Sequence, residues 1–102
     1  MELYQLKTFL VIARTGNLTR AATELHASQP TVSGQLKALE EELNVVLFER
    51  TPRGMVLTEA GQRLRDKAQE VTDSVAEFTL LAASLTQNSP LCCKVGVNTT
   101  AT

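Results

Sequence analysis

No apolar run in this 102-residue chain approaches the roughly 20 residues that a helix needs to span a bilayer. The chain also lacks a basic N-terminal region followed by an apolar stretch. Met1-Glu2 leads straight into an amphipathic pattern, so no secretory signal is read here and a cytoplasmic location is expected. Cysteine is scarce: the only two, Cys92 and Cys93, are neighbours, and adjacent cysteines rarely bridge each other. The single histidine, His26, is far from them in sequence, which argues against a zinc site and leaves two reduced thiols as the expectation. There is no Gly-rich phosphate loop, no pair of carboxylates suited to a polar cleft and no nucleophile beside His26, so neither an enzyme nor a bound cofactor is expected. A positive surplus is missing as well: ten Lys and Arg stand against eleven Asp and Glu, for a net charge of -1. Nucleic-acid-binding domains are often strongly basic. Any such function must therefore be argued from where the charges lie.

What the chain does have is a dense helical segment. Residues 19–43 read TRAATELHASQPTVSGQLKALEEEL, two short amphipathic helices with only a few residues between them. Ala21, Ala22, Leu25, Val32, Leu36 and Leu39 are its apolar positions. This is the pattern of a helix-turn-helix, whose second helix enters the major groove of DNA. Between His26 and Ala38 the only other charged side chain is Lys37, and Glu40, Glu41 and Glu42 follow at the far end. The half that would approach phosphates is thus free of acids.

The flanking sequence completes a domain. Leu3, Leu6, Phe9, Leu10 and Ala13 recur at helical spacing and predict a first helix over residues 3–14, broken by Gly16-Asn17. Thr19 is the expected N-cap of a second helix over residues 20–26, with Asn17 as competitor. His26 falls at the turn, where a left-handed residue is tolerated. Ser28-Gln29-Pro30 reads as a helix start, and a third helix runs to Leu43 with Val32, Leu36, Leu39 and Leu43 as its buried stripe. Its opposite face carries Pro30, Thr31, Gly34 and Lys37, flanked by Gln29, Ser33 and Gln35.

Residues 47–50 and 55–58 are short extended runs around Thr51-Pro52-Arg53-Gly54, a turn sequence, so a β-hairpin is predicted with Phe48 and Leu57 as anchors. Two strands alone are marginal, and the hairpin must pack on the helices. From Glu59 to Thr86 the pattern is helical. Leu64, Ala68, Val71, Val75, Phe78, Ala82 and Leu85 keep four-and-three spacing, which reads as a coiled-coil seam. A helix of about 28 residues spans roughly 42 Å. A small domain cannot cover that length, so a second copy is the expected partner. Asn88-Ser89-Pro90 ends the helix, and LCCKVGV has the character of a strand with no mate in this chain.

Taken in order, LKTFL, LTRAATELHASQPTVSGQLKALEEEL, LFER and LTEAG, with the long helix after them, resemble the N-terminal DNA-binding region of LysR-type transcriptional regulators over about residues 1–86. The resemblance implies a mostly α fold. Residues 1–58 form a winged helix-turn-helix, 59–87 a dimerising linker helix, and 88–102 a hinge with the first strand of an effector-binding domain that the chain does not contain. It also implies a homodimer on promoter DNA, tetramers in full-length members, and a small-molecule co-inducer sensed only through that further domain, with no membrane involvement. Carried over by position, DNA contacts fall on Gln29, Pro30, Thr31, Ser33, Gly34 and Lys37, with wing contacts on Arg50 and Arg53; Ser28, with Thr31, is placed to take phosphates, and Gln35 is a further candidate contact. Many members have arginine where this chain has Gly34, a residue that costs a helix interior about 1 kcal/mol relative to alanine.

The expected chemistry is direct. Gln29 pairs with an adenine edge, Ser33 with a base or a phosphate, Pro30 and the Thr31 methyl with a thymine methyl, and Arg53 reaches the flanking minor groove or its phosphates. Two further readings stay open. Another winged-helix family, the molybdate-responsive regulators, shares an LT-x-x-G-like step after the wing. A coiled-coil interaction module would use the long helix alone.

Overall fold

A computed structural model of the chain describes residues 1–87. The hinge and strand expected over residues 88–102, with Cys92 and Cys93, lie outside the described residues. The elements run α1 (Leu3–Thr15), α2 (Leu18–Glu24), α3 (Gln29–Leu43), β1 (Phe48–Thr51), β2 (Gly54–Leu57) and α4 (Glu59–Gln87). The helical chain with its two-stranded antiparallel sheet is a winged helix-turn-helix with a long helix after it, the fold class the sequence predicts.

Each helix boundary has a local chemical cause. α1 ends at Gly16, which adopts a left-handed φ of 67° and returns its N–H to the Ile12 carbonyl. α2 begins earlier than expected. Asn17, not Thr19, is its N-cap, and the Asn17 side chain accepts the Arg20 N–H at 3.0 Å. The reason is packing: starting at Leu18 buries that leucine with Ala21 and Ala22. Arg14 donates to the carboxylate of Glu24, tying α1 to α2 and holding that carboxyl below the ordinary carboxylate range. His26 has φ 55°, the left-handed conformation expected at the turn. Ser28 caps α3 by accepting the Thr31 N–H at 3.2 Å, and Asn44 closes the helix in left-handed geometry.

The core lies where the three helices meet the start of the hairpin. Phe9 and Ile12 of α1, Leu18, Ala21 and Ala22 of α2, Val32, Leu36 and Leu39 of α3, and Leu47 and Phe48 are all buried. Phe48 meets Phe9 edge to face, with ring centroids 5.6 Å apart, a favoured aromatic geometry. Phe48 pairs with Leu57 and Thr51 with Gly54 across the hairpin, so only Pro52 and Arg53 form its tip. Phe48 is the stronger anchor, and Leu57 is half-buried. The hairpin is also fastened to the α1–α2 turn, where the Met55 N–H donates to the Gly16 carbonyl at 2.9 Å. Gly54 makes this possible. Its φ is 125°, and a Cβ there would lie 2.3 Å from the Gly16 oxygen.

The LTEAG run is a junction. Thr58 donates its N–H to the Leu47 carbonyl at 3.0 Å and its hydroxyl to the Val46 carbonyl at 2.6 Å. The same hydroxyl accepts the Gly61 N–H at 2.9 Å and so caps α4. Glu40 accepts the Leu47 N–H at 2.8 Å from the other side.

The chain divides into two units, Met1–Thr72 and Asp73–Thr102. The first half of α4 belongs to the first unit, because Ala68 is buried in the core above and Leu64 packs against it. Of the expected seam, Ala68 is therefore already covered by its own domain and Leu64 is half-buried against it. From Val71 on, the pattern changes. Val71 and Val75 are each 39% exposed, Phe78 74% and Leu85 65%, and Ala82 is exposed as well. No helix among the described residues is long and apolar enough to cross a membrane.

Candidate nucleic-acid interface

α3 presents two different sides. Val32, Leu36 and Leu39 are buried, whereas Ser28, Gln29, Pro30, Thr31, Gly34 and Lys37 are exposed. Ser33 is half-buried at one flank. At the helix start the Ser28 and Thr31 hydroxyls are 2.8 Å apart. The capping bond and this contact fix the first turn, so Gln29 and Thr31 project from rigid backbone. Pro30 stands in the same turn, where its missing N–H leaves no helical bond unmade.

Gln35, among the expected contacts, also has a partner inside the fold. It is half-buried, and its Oε1 accepts the hydroxyl of Thr8, a buried α1 residue, at 2.6 Å. Its carbonyl is therefore engaged in joining α3 to α1, which leaves the amide NH2 as the group it can offer elsewhere. A polar flank in sequence has become an interhelix tie, because the α1 residue it meets is also polar and needs a partner when buried.

The hairpin adds two cations beside α3. Arg50 of β1 and Arg53 at the tip are both exposed. Neither they nor Lys37 enter an ion pair among the described residues. A concavity of about 230 Å³ lies between the start of α2, the start of α3 and the hairpin, with Asn17, Thr19, Gln29, Arg50 and Thr51 on its wall. Sequence reasoning names Gln29 and Arg50 but misses Thr19 and Thr51. A signal exists for Thr19, since the first helix of a helix-turn-helix crosses the DNA backbone. The acids of α3 stand at its far end: Glu40 is spent on the Leu47 N–H, and Glu41 and Glu42 follow it, while the hairpin carries one exposed acid, Glu49, next to Arg50 in β1.

A polar, acid-free helix start with unpaired cations on an adjacent hairpin is an arrangement for a polyanion, with hydrogen-bonding side chains between the charges. Comparison with known proteins agrees. Residues 3–62 match the family described as bacterial regulatory helix-turn-helix protein, lysR family. The chain belongs to the LysR family. The molybdate-responsive alternative rested on the LTEAG step, which lies inside the matched range, and the LysR reading is favoured over it and over the interaction module.

Among curated LysR relatives, the chain is 48% identical over 71 residues to the transcriptional regulator ClcR of Pseudomonas putida, covering 70% of this chain and 24% of that protein. It is 39% identical over 93 residues to the dual regulator OxyR of Escherichia coli K12, covering 89% of this chain and 30% of that one. The chain thus spans about a quarter to a third of the length of such relatives. Among solved structures, the CbnR DBD–DNA complex superposes with a TM-score of 0.79 at 39% identity, over 83% of this chain and 98% of that one. The complex of BenM DBD with catB site 1 DNA gives 0.81 at 30% identity, over 83% and 96%.

Proposed function

We propose that this chain is the DNA-reading end of a LysR-type transcriptional regulator, a non-enzymatic cytoplasmic protein that binds promoter DNA as a homodimer. The observation that carries the proposal is the exposed, acid-free first turn of α3 beside Arg50 and Arg53. Residues 1–58 read DNA, residues 59–87 join two copies, and residues 88–102 lead to an effector-binding domain where a small co-inducer is sensed. The solved likenesses bound to DNA support the first part. Exposed apolar positions from Val71 to Leu85 support the second.

In this reading α3 enters the major groove with its first turn leading. Gln29 offers a donor and an acceptor to an adenine edge, Ser33 a hydroxyl to a base or phosphate, and Pro30 and Thr31 apolar surface to a thymine methyl. Thr19 and Arg50, on the wall of the concavity, meet the phosphate backbone that passes it. Arg53, at the hairpin tip, reaches the neighbouring minor groove or its phosphates. Gln35 serves as a positioning residue through Thr8. Two readers related by a two-fold axis require half-sites about one helical turn apart, or a multiple of that.

The test is salt dependence. Binding of the chain and of Arg53→Ala to duplex DNA is measured across a salt series. If Arg53 neutralises one phosphate, the log–log slope of the variant becomes shallower by about 0.9. Unchanged slope and affinity remove Arg53 from the interface. No measurable binding by the unaltered chain, to any sequence from a random pool, defeats the DNA reading as a whole.

A further inference from the structure

The outermost line of α3 runs through Pro30, Gly34, Lys37 and Glu41, all exposed and spaced by four, three and four residues. Gly34 stands in its middle, well inside the helix. Glycine there destabilises the helix relative to alanine, since more backbone freedom is lost on folding. A fold has two internal reasons to keep such a residue. One is a positive φ; Gly34 is not among the residues with one. The other is close approach of a neighbouring segment; a Cβ built on Gly34 meets nothing within 4 Å. The folded chain therefore gains nothing from this glycine, and its effect falls on whatever α3 meets.

Its neighbours on the line sharpen the point. Pro30 has no polar side-chain atom. Lys37, one turn further on, is a point charge on a flexible stem, which reaches phosphates or a guanine edge beyond the step that Gly34 faces. Glu41 is an anion that DNA repels. The other side chains able to distinguish bases, Gln29, Thr31 and Ser33, all belong to the first turn and its flanks. We infer that Gly34 leaves one base pair in each half-site unread, so that the operator tolerates any base at that step, and that residue 34 is the position at which specificity can be added. The inference rests on the DNA-binding reading above.

The experiment selects duplexes from a random pool with the 102-residue chain, with Gly34→Ala and with Gly34→Arg. Open space around residue 34 lets both variants fold, and their thermal midpoints check it: Gly34→Ala should melt above the parent. The expected outcome is that the parent and Gly34→Ala enrich the same sequence, with one indifferent pair per half-site flanked by selected ones. Gly34→Arg should acquire a preference for guanine at that same pair, roughly tenfold or more, because a guanidinium bonds the O6 and N7 acceptors in a bidentate manner. The inference is overturned if the parent already selects one base at the pair where Gly34→Arg acts, or if Gly34→Arg changes preference at no pair. It is also overturned if Gly34→Ala loses binding severalfold at every sequence, since the backbone itself would then touch the groove floor. A parent that enriches no sequence defeats the DNA reading together with it, whereas the other failures leave that reading standing.

Discussion

Gly34 and Gly61 are both helical glycines, yet a methyl group meets opposite surroundings at the two sites. At Gly34 it finds open space; at Gly61 it would lie 2.2 Å from the Leu47 carbonyl oxygen and 3.0 Å from a Leu57 methyl. That oxygen belongs to backbone held by Thr58 and cannot give way easily. Gly61→Ala is therefore expected to destabilise the first unit by at least the ~1–3 kcal/mol typical of overpacking, lowering the thermal midpoint by several degrees. Thermal denaturation followed by circular dichroism checks this; an unchanged midpoint would mean that the α4 start is not pressed on the Leu47 carbonyl. The difference between the two glycines is not legible in the sequence, because the crowding at Gly61 comes from a loop earlier in the chain. Gln35 escapes a sequence reading for the same reason. Its place on the flank of α3 follows from spacing, but its partner Thr8 is on another helix.

At the scale of elements, the legible features are those with local causes. The start of α3 is written in Ser28 and Pro30, and the hairpin in a turn sequence between two extended runs, because capping and turn chemistry act within a few residues. The start of α2 is ambiguous in sequence, since Asn17 and Thr19 are both good caps and only tertiary packing separates them. Starting at Leu18 puts that leucine 5% exposed in the core, and this decides for Asn17. Asn17→Ala should cost the fold about 1 kcal/mol, within the 0.5–2 kcal/mol range for lost caps. Thr19→Ala, on an exposed first-turn position, should stay within about 0.5 kcal/mol. Chemical denaturation of the two variants gives the comparison. Equal losses, or a larger loss at Thr19, would put the helix start where the sequence alone suggested.

For the whole molecule, the heptad of α4 is legible in the sequence but its two uses are not. Leu64 and Ala68 share the phase of Val71, Val75, Phe78, Ala82 and Leu85, and a periodic pattern says which side of a helix is apolar without saying what covers it. The structure divides the series: Ala68 is 4% exposed against its own core, whereas Phe78 is 74% exposed. In a homodimer each copy would bury its Phe78, at roughly 1.5–3 kcal/mol per fully buried side chain. Phe78→Glu removes that term twice and places two anions at the seam. The dimer dissociation constant should rise by at least about two orders of magnitude, at ~1.4 kcal/mol per decade. Sedimentation over a concentration series measures it, and an intact dimer at low concentration would count against this seam. The melting of residues 1–72 should not change, since Phe78 lies outside that unit. Two tethered readers bind paired half-sites far more tightly than one, because the second contact is intramolecular. The Phe78→Glu monomer should therefore keep its affinity for an isolated half-site and lose it, by roughly a factor of ten or more, on the paired operator. Equal loss on both DNAs would place Phe78 in the reading of DNA itself, and no loss on either would uncouple α4 from operator symmetry.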